Sequence, residues 1–198
     1  ECYLAEAADR VPAIQQTMRR YLADGILTEA VHDGFILVER ATGTGERVGL
    51  VCAVDLEQYD YTRGSLSLVR PTEETIRSRL PARLAVRNGA PLEVSHILML
   101  RDDPLQTVVE PLYARRDTLR KLYDFPLMMN GGALRGWAVT DEGDKEAILS
   151  ALARLRDAQG DHPLLFAVGD GNHSLATAKA CWESMKLVLT PEEQVNHP

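Results

Sequence analysis

An α/β fold, with α+β as the alternative, is what this sequence predicts: a mixed sheet carrying β-hairpins and flanked by helices. Three observations predict it. Apolar residues recur at helical spacing in several segments separated by short apolar runs of strand length. Two glycine-bearing links, Thr42-Gly43-Thr44-Gly45 and Gly131-Gly132, lie between strand-like runs in the manner of hairpins. One strongly apolar run, Leu-Leu-Phe-Ala-Val at 164–168, passes through a glycine turn into a helical pattern.

The elements follow in order. Val11, Ile14, Met18, Tyr21 and Leu22 predict a helix over 9–24, with Asp9 as N-cap and Gly25 as stop. Strands are expected at 34–40 and 46–55, joined by the first hairpin link. A short strand at 65–69 runs into Arg70-Pro71-Thr72-Glu73-Glu74-Thr75. There Thr72 is read as an N-cap with Glu73 and Glu74 in the first helical turn. That helix is interrupted near Pro81 and resumes to Arg87. A strand at 94–100 contains His96, read as a core histidine. A long polar helix is expected over 105–122, bent or divided at Pro111. The stretches 127–129 and 134–139 form the second hairpin. Thr140 caps a helix to about 158, with Ile148, Leu149, Leu152 and Leu155 on one face. A buried strand at 163–168 and a helix at 174–187 follow. Thr190-Pro191-Glu192-Glu193 opens one more helix. No internal repeat or linker divides the chain, which is read as one domain over 1–198.

Composition narrows the class. At 45% hydrophobic and 26% charged residues, the chain is neither disordered nor of low complexity. The longest apolar runs, 51–54 and 164–168, fall far short of the roughly 20 residues a membrane-spanning helix needs. Cys2, Cys52 and Cys181 are too few and too scattered for a disulfide framework or a zinc site, so a cytoplasmic protein is expected. A net charge of −7 weighs against non-specific nucleic-acid binding.

Two segments carry chemistry. The first is Val168-Gly169-Asp170-Gly171-Asn172-His173-Ser174, where a buried strand feeds a glycine turn that opens a helix. Gly169 and Gly171 let the backbone approach a ligand. The unpaired N–H groups of the first helical turn favour an anion. Asp170 suits a proton acceptor or metal ligand, His173 a proton carrier, and Asn172 and Ser174 phosphate contacts. A structural turn with Ser174 as N-cap accounts for the same residues. The segment is neither a Walker loop nor a dinucleotide fingerprint. The second segment holds Arg70, Arg77, Arg79, Arg83 and Arg87, a positive patch in an acidic chain. Arg79, Arg83 and Arg87 are spaced four apart and would share one helical face. Guanidinium forks match phosphate oxygens, and Glu73 beside them is placed to act as a general base. A solvated face with Glu–Arg pairs is the competing reading. Weaker candidates are Asp55, Glu57 and Asp60 as acidic ligands and Asp102-Asp103 for Mg²⁺, against turn or cap roles. Trp137 and Trp182 are read as core or interface aromatics.

Taken in order, Val69-Arg70-Pro71-Thr72-Glu73-Glu74-Thr75-Ile76, His96-Ile97-Leu98-Met99-Leu100 and Val168-Gly169-Asp170-Gly171-Asn172-His173-Ser174 resemble the prokaryotic family called domain of unknown function ten-fifteen. Val54-Asp55-Leu56-Glu57-Gln58-Tyr59-Asp60-Tyr61 and Leu122-Tyr123-Asp124-Phe125 extend the likeness over nearly the whole chain. Members are about twice this length, so the resemblance implies a central fragment. Their widespread Asp-Gly-His-His-Arg box matches here at Asp170, Gly171 and His173 and departs at Asn172 and Ser174. That box is in turn similar to the phosphate-contacting box of the ParB and sulfiredoxin superfamily, which includes nucleotide-dependent free serine kinases. The resemblance therefore implies a ParB/sulfiredoxin-like part and a phosphotransferase acting on L-serine or phosphoserine. Glu73, Asp170 and His173 would be catalytic. Gly169, Gly171, Asn172, Ser174, Arg70, Thr72, Arg77 and Arg79 would bind phosphate. ATP or ADP with Mg²⁺ would serve as cofactors. A non-catalytic regulator binding a nucleotide or phosphometabolite at the same loop is the alternative. Nucleic acid and membrane are not expected partners.

Overall fold

The computed structural model describes residues 10–94 and 97–197. In chain order its elements are α1 (Val11–Ala23), β1 (Phe35–Thr42), β2 (Gly45–Val51), β3 (Val69–Pro71), α2 (Leu80–Arg87), β4 (Leu98–Leu100) and α3 (Glu110–Ala114). Then come β5 (Arg120–Pro126), β6 (Ala133–Val139), α4 (Glu142–Asp157), β7 (Phe166–Asp170), α5 (Asn172–Lys186) and α6 (Pro191–Val195). Helices and strands in mixed and antiparallel sheets make this the expected α/β class. His96 lies outside the described residues. Among the described residues no helix is long and apolar enough to cross a membrane.

The chain forms two compact units. One takes the described parts of 1–28, 55–101 and 162–198; the other takes 29–54 and 102–161.

The second unit is built on an antiparallel sheet in the order β2-β1-β6-β5. The β1–β2 hairpin closes at Thr42 opposite Gly45, as its glycine-rich link predicts. Strand alternation puts Leu37 and Glu39 of β1 on the buried face. Leu37, Trp137 and Val139 from the sheet pack with Ile148 and Ala151 of α4 and with Val108, Val109 and Leu112. Trp137 is thus a core residue. Glu39 is 2% exposed and lies opposite Arg135 of β6, with which it forms an ion pair.

The helix expected over 105–122 is replaced by the five-residue α3, a 3-10 turn at Arg116–Thr118 and the strand β5. Pro111 has no N–H and sits in the first turn of α3, so it opens a helix here and does not bend one. Upstream, Asp103 accepts the N–H groups of Thr107 and Val108 at 2.8–3.0 Å, which holds that stretch as a capped loop. Downstream, 120–126 pairs with β6, so the second hairpin has its first arm there and not at 127–129. Gly132 sits in its turn at φ +90°, where a Cβ would lie 1.9 Å from the Ala41 carbonyl oxygen.

Asp141, one residue beyond the expected Thr140, caps α4 by accepting the Asp144 N–H at 3.1 Å. Glu142 and Asp144 in the first turn and Arg154 and Arg156 in the last match the helix dipole. Replacing Asp141 with alanine removes the cap and is expected to cost about 1 kcal/mol. A fall in melting temperature of about 2–4 °C would register it in a thermal melt.

The first unit holds the three-stranded sheet β3-β7-β4, with β3 parallel and β4 antiparallel to the central β7. Val168 of β7 is fully buried, and Leu175, Ala176 and Ala178 present the buried face of α5. Gln15 of α1 donates to the carbonyls of Val86 and Asn88, tying α1 to the end of α2. Thr190 and Glu193 form a full capping box on α6, as their spacing predicts.

Candidate functional site

The parallel pairing of β3 with β7 aligns Val69 with Phe166 and Pro71 with Val168. Both strands then end at the same edge of the sheet. The segment 72–76 after β3 and the turn 170–172 after β7 emerge side by side, at the carboxyl ends of strands, where open α/β sheets place their ligands. Motifs nearly a hundred residues apart in sequence therefore meet.

Three contacts join them. The Thr72 N–H and hydroxyl both donate to the Val168 carbonyl, at 3.1 and 2.8 Å. Thr72 thus extends β3 and does not cap a helix, because α2 begins only at Leu80 with Pro81 in its first turn. The Asn172 Nδ2 donates to Glu73 Oε1 at 3.3 Å. The Ile76 N–H donates to His173 Nε2 at 3.1 Å, so neutral His173 carries its proton on Nδ1.

Gly171 makes the turn. At φ +83° it has the left-handed conformation that favours glycine, and it serves as N-cap of α5. Its carbonyl accepts the N–H groups of Ser174 and Leu175. The helix therefore starts two residues earlier than the expected Ser174. Asp170 Oδ1 accepts the Gly171 N–H at 2.7 Å. Gly169 lies at the end of β7, beside Leu100 of β4.

A cavity of about 480 Å³ opens beside this junction. Arg70, Thr72, Glu73 and Arg77 line it, together with Glu74 and Thr75. Its other wall is the turn 61–65, which contributes Arg63. No periodic pattern in the sequence marks Arg63. The available signal was a polar turn: Asp60 Oδ1 accepts the Thr62 N–H at 2.8 Å, and Gly64 follows at φ +81°. The Arg63 and Arg77 side chains make no ion pair or hydrogen bond among the described residues, whereas Arg70 donates to the Ser65 carbonyl at 3.3 Å. The Arg70 Nε and the Asn172 Oδ1 are buried without a partner. The hydroxyls of Thr75 and Tyr59, 6% and 1% exposed as residues, are buried without a well-formed hydrogen bond. Burial pushes the Tyr59 hydroxyl well above the ordinary tyrosine range.

The remaining candidates sit elsewhere in this unit. Ser174 and Arg83 line a second cavity of about 260 Å³ with Met18, Val86, Leu92 and Thr177. Arg87 pairs with Glu93. Arg83 donates to the Arg79 carbonyl at 3.1 Å. The arginine row thus divides: Arg70 and Arg77 face the first cavity, Arg83 and Arg87 the second. Asp55 accepts the Glu57 N–H at 2.9 Å. Glu57 takes the Lys186 ammonium and the Trp182 indole N–H, which hold its carboxyl below the usual carboxylate range. Among the described residues no three His, Cys, Asp or Glu side chains cluster in a way that could hold a metal ion by themselves.

No curated protein and no solved structure matches the chain. The model of the family described as protein of unknown function, DUF1015, matches residues 1–198, and the chain belongs to that family.

Proposed function

We propose that this chain carries the site of a small-molecule phosphotransferase, with a free amino-acid hydroxyl, L-serine first, as acceptor and a nucleotide as phosphate donor. One observation carries the reading: Glu73 and three arginines, Arg63, Arg70 and Arg77, line one cavity at the carboxyl ends of parallel strands. The resemblance of the box at Asp170, Gly171 and His173 to that of the free serine kinases lends further support, although no residue of 169–174 lines this cavity. In the proposed step the Glu73 carboxylate takes the hydroxyl proton. The freed oxygen forms a bond to the terminal phosphorus, and the bond from that phosphorus to the donor's bridging oxygen breaks, leaving the electron pair on the departing phosphate. The guanidiniums stabilise charge on the equatorial and departing oxygens, which is most of what phosphoryl transfer asks of a protein. Mg²⁺ takes one or two carboxylates and otherwise phosphate oxygens and water. Glu74 on the cavity wall suits that role, and the ion would supply charge neutralisation.

The test supplies L-serine with ATP, ADP or pyrophosphate and looks for phosphoserine. A bound phosphate compound also raises the melting temperature, by about 5–10 °C when it is present at a hundred times its Kd. Phosphoserine formation with such a rise supports the reading. No shift with nucleotides, pyrophosphate, serine or phosphoserine refutes it.

A further inference from the structure

We infer that Asn172 is a positioning residue that aims Glu73, and not a phosphate ligand; the inference rests on the proposed role of Glu73 as base. Asn172 is 2% exposed and does not line the cavity. Its Nδ2 donates to Glu73 Oε1 at 3.3 Å. Its Oδ1 is buried without a partner. Burying an amide with one half unsatisfied is unfavourable, and the half that is satisfied is satisfied by Glu73.

The surrounding backbone leaves this task to a side chain. The Thr72–Val168 and Ile76–His173 hydrogen bonds hold the two ends of the segment 72–76. Between them Glu73 is exposed, and an exposed glutamate has three free side-chain torsions. A donor on Oε1 removes that freedom and leaves Oε2 to accept a proton. An amide does not titrate, so the restraint persists at every pH at which the carboxylate is ionised. Gly171 is part of the device: its left-handed turn places Asn172 at the first position of α5, against the β3 loop. His173 restrains the backbone on the same turn while Asn172 restrains the side chain.

The test is steady-state kinetics of phosphoserine formation on the full chain. Asn172→Asp keeps the shape but replaces the donor with a second carboxylate; Asn172→Ala deletes it; Asn172→His restores a ring N–H. The expected result is a loss in kcat of about 10- to 100-fold for Asp and Ala. Their KM for the nucleotide stays within about twofold, and the thermal shift with pyrophosphate is unchanged. Asn172→His recovers most of the rate. In a Glu73→Gln background, Asn172→Ala has no further effect on the residual rate, because the residue acts only through Glu73. A rise in KM for the nucleotide, or losses that multiply with Glu73→Gln, would overturn the inference and return Asn172 to phosphate binding. An Asn172→Asp protein of full activity beside a Glu73→Gln protein without it sinks this inference alone. Full activity in Glu73→Gln sinks the proposed base and the inference with it. The pyrophosphate shift also reports that each variant is folded.

Discussion

Glu73→Gln is expected to remove phosphoserine formation by the proposed phosphotransferase and to leave ligand binding in place. General-base catalysis contributes about 10²- to 10⁴-fold, so Glu73→Gln is expected to lower kcat by that factor. The substitution is informative because little else changes. Glu73 is exposed, and the one side-chain hydrogen bond it makes among the described residues comes from Asn172. The amide oxygen of a glutamine can accept that same bond, so the side chain stays aimed while its capacity to take a proton is lost. Stability should move by no more than about 0.5 kcal/mol, as for other surface changes. The pyrophosphate-induced rise in melting temperature should persist, because Arg63, Arg70 and Arg77 are untouched. Comparison with the wild type separates the two functional readings of the cavity. Turnover in the wild type that Glu73→Gln loses identifies a phosphotransferase with this base. Binding in both proteins with turnover in neither identifies a regulator that senses a phosphate compound without transforming it.

Much of this junction is legible in the sequence, and the part that is not has a physical cause. The run at 164–168, the glycine turn and the following helix are local patterns, and they form β7, Gly171 and α5 with boundaries shifted by one to three residues. Capping at Thr190 is read from spacing alone and is correct to the residue. The same local logic fails at Thr72. Threonine followed by two glutamates is a good helix start, yet the N–H and hydroxyl of Thr72 are drawn to a β-strand carbonyl, Val168, that sequence cannot place beside it. It fails again over 105–122, where the lone carboxylate of Asp103 satisfies the amides of Thr107 and Val108 and so withdraws that stretch from a helix. From Arg120 onward the chain gains more as a partner of β6 than its helical propensity offers.

The candidate site shows the same division. Residue types were readable: carboxylates, guanidiniums and a glycine turn announce anion chemistry. Directions were not. Asn172 and Ser174 are neighbours two positions apart in one helical turn, yet one holds Glu73 and the other lines a different cavity. An α-helix rotates about 100° per residue, so residues i and i+2 point to different sides. Arg63 carries no sequence signal of its own, because its turn is joined to Arg70 through tertiary structure, by the bond from Arg70 to the Ser65 carbonyl, and not through any periodic pattern.

The largest expected loss of stability lies in the other unit, at Glu39. This carboxylate is 2% exposed on β1 and is met from three sides. Arg135 pairs with Oε1 from the neighbouring strand. The Tyr113 hydroxyl donates to Oε2 at 2.6 Å. Arg116 Nε lies 3.8 Å from the same oxygen, with its guanidinium stacked 4.3 Å over the Tyr113 ring. Alanine at position 39 leaves two arginines and a tyrosine hydroxyl without their common acceptor. Breaking a buried pair costs about 3–5 kcal/mol. The lower figure applies because Arg135 is 39% exposed and can turn to water. A fall in melting temperature of about 6–12 °C follows for Glu39→Ala. A change below about 1 kcal/mol would mean that the network holds no more than a surface ion pair does. The alkaline limb supplies an independent check. The hydrogen bond to Glu39, with burial assisting, pushes the Tyr113 hydroxyl up to about 12. A hydroxyl raised above its unfolded value of about 10 contributes its stability below pH 10 and loses it as the pH rises through 12. The difference in denaturant midpoint between wild type and Tyr113→Phe should therefore shrink between about pH 10 and 12. In a Glu39→Ala background the difference should titrate nearer to pH 10, because the bond that raised the hydroxyl is gone.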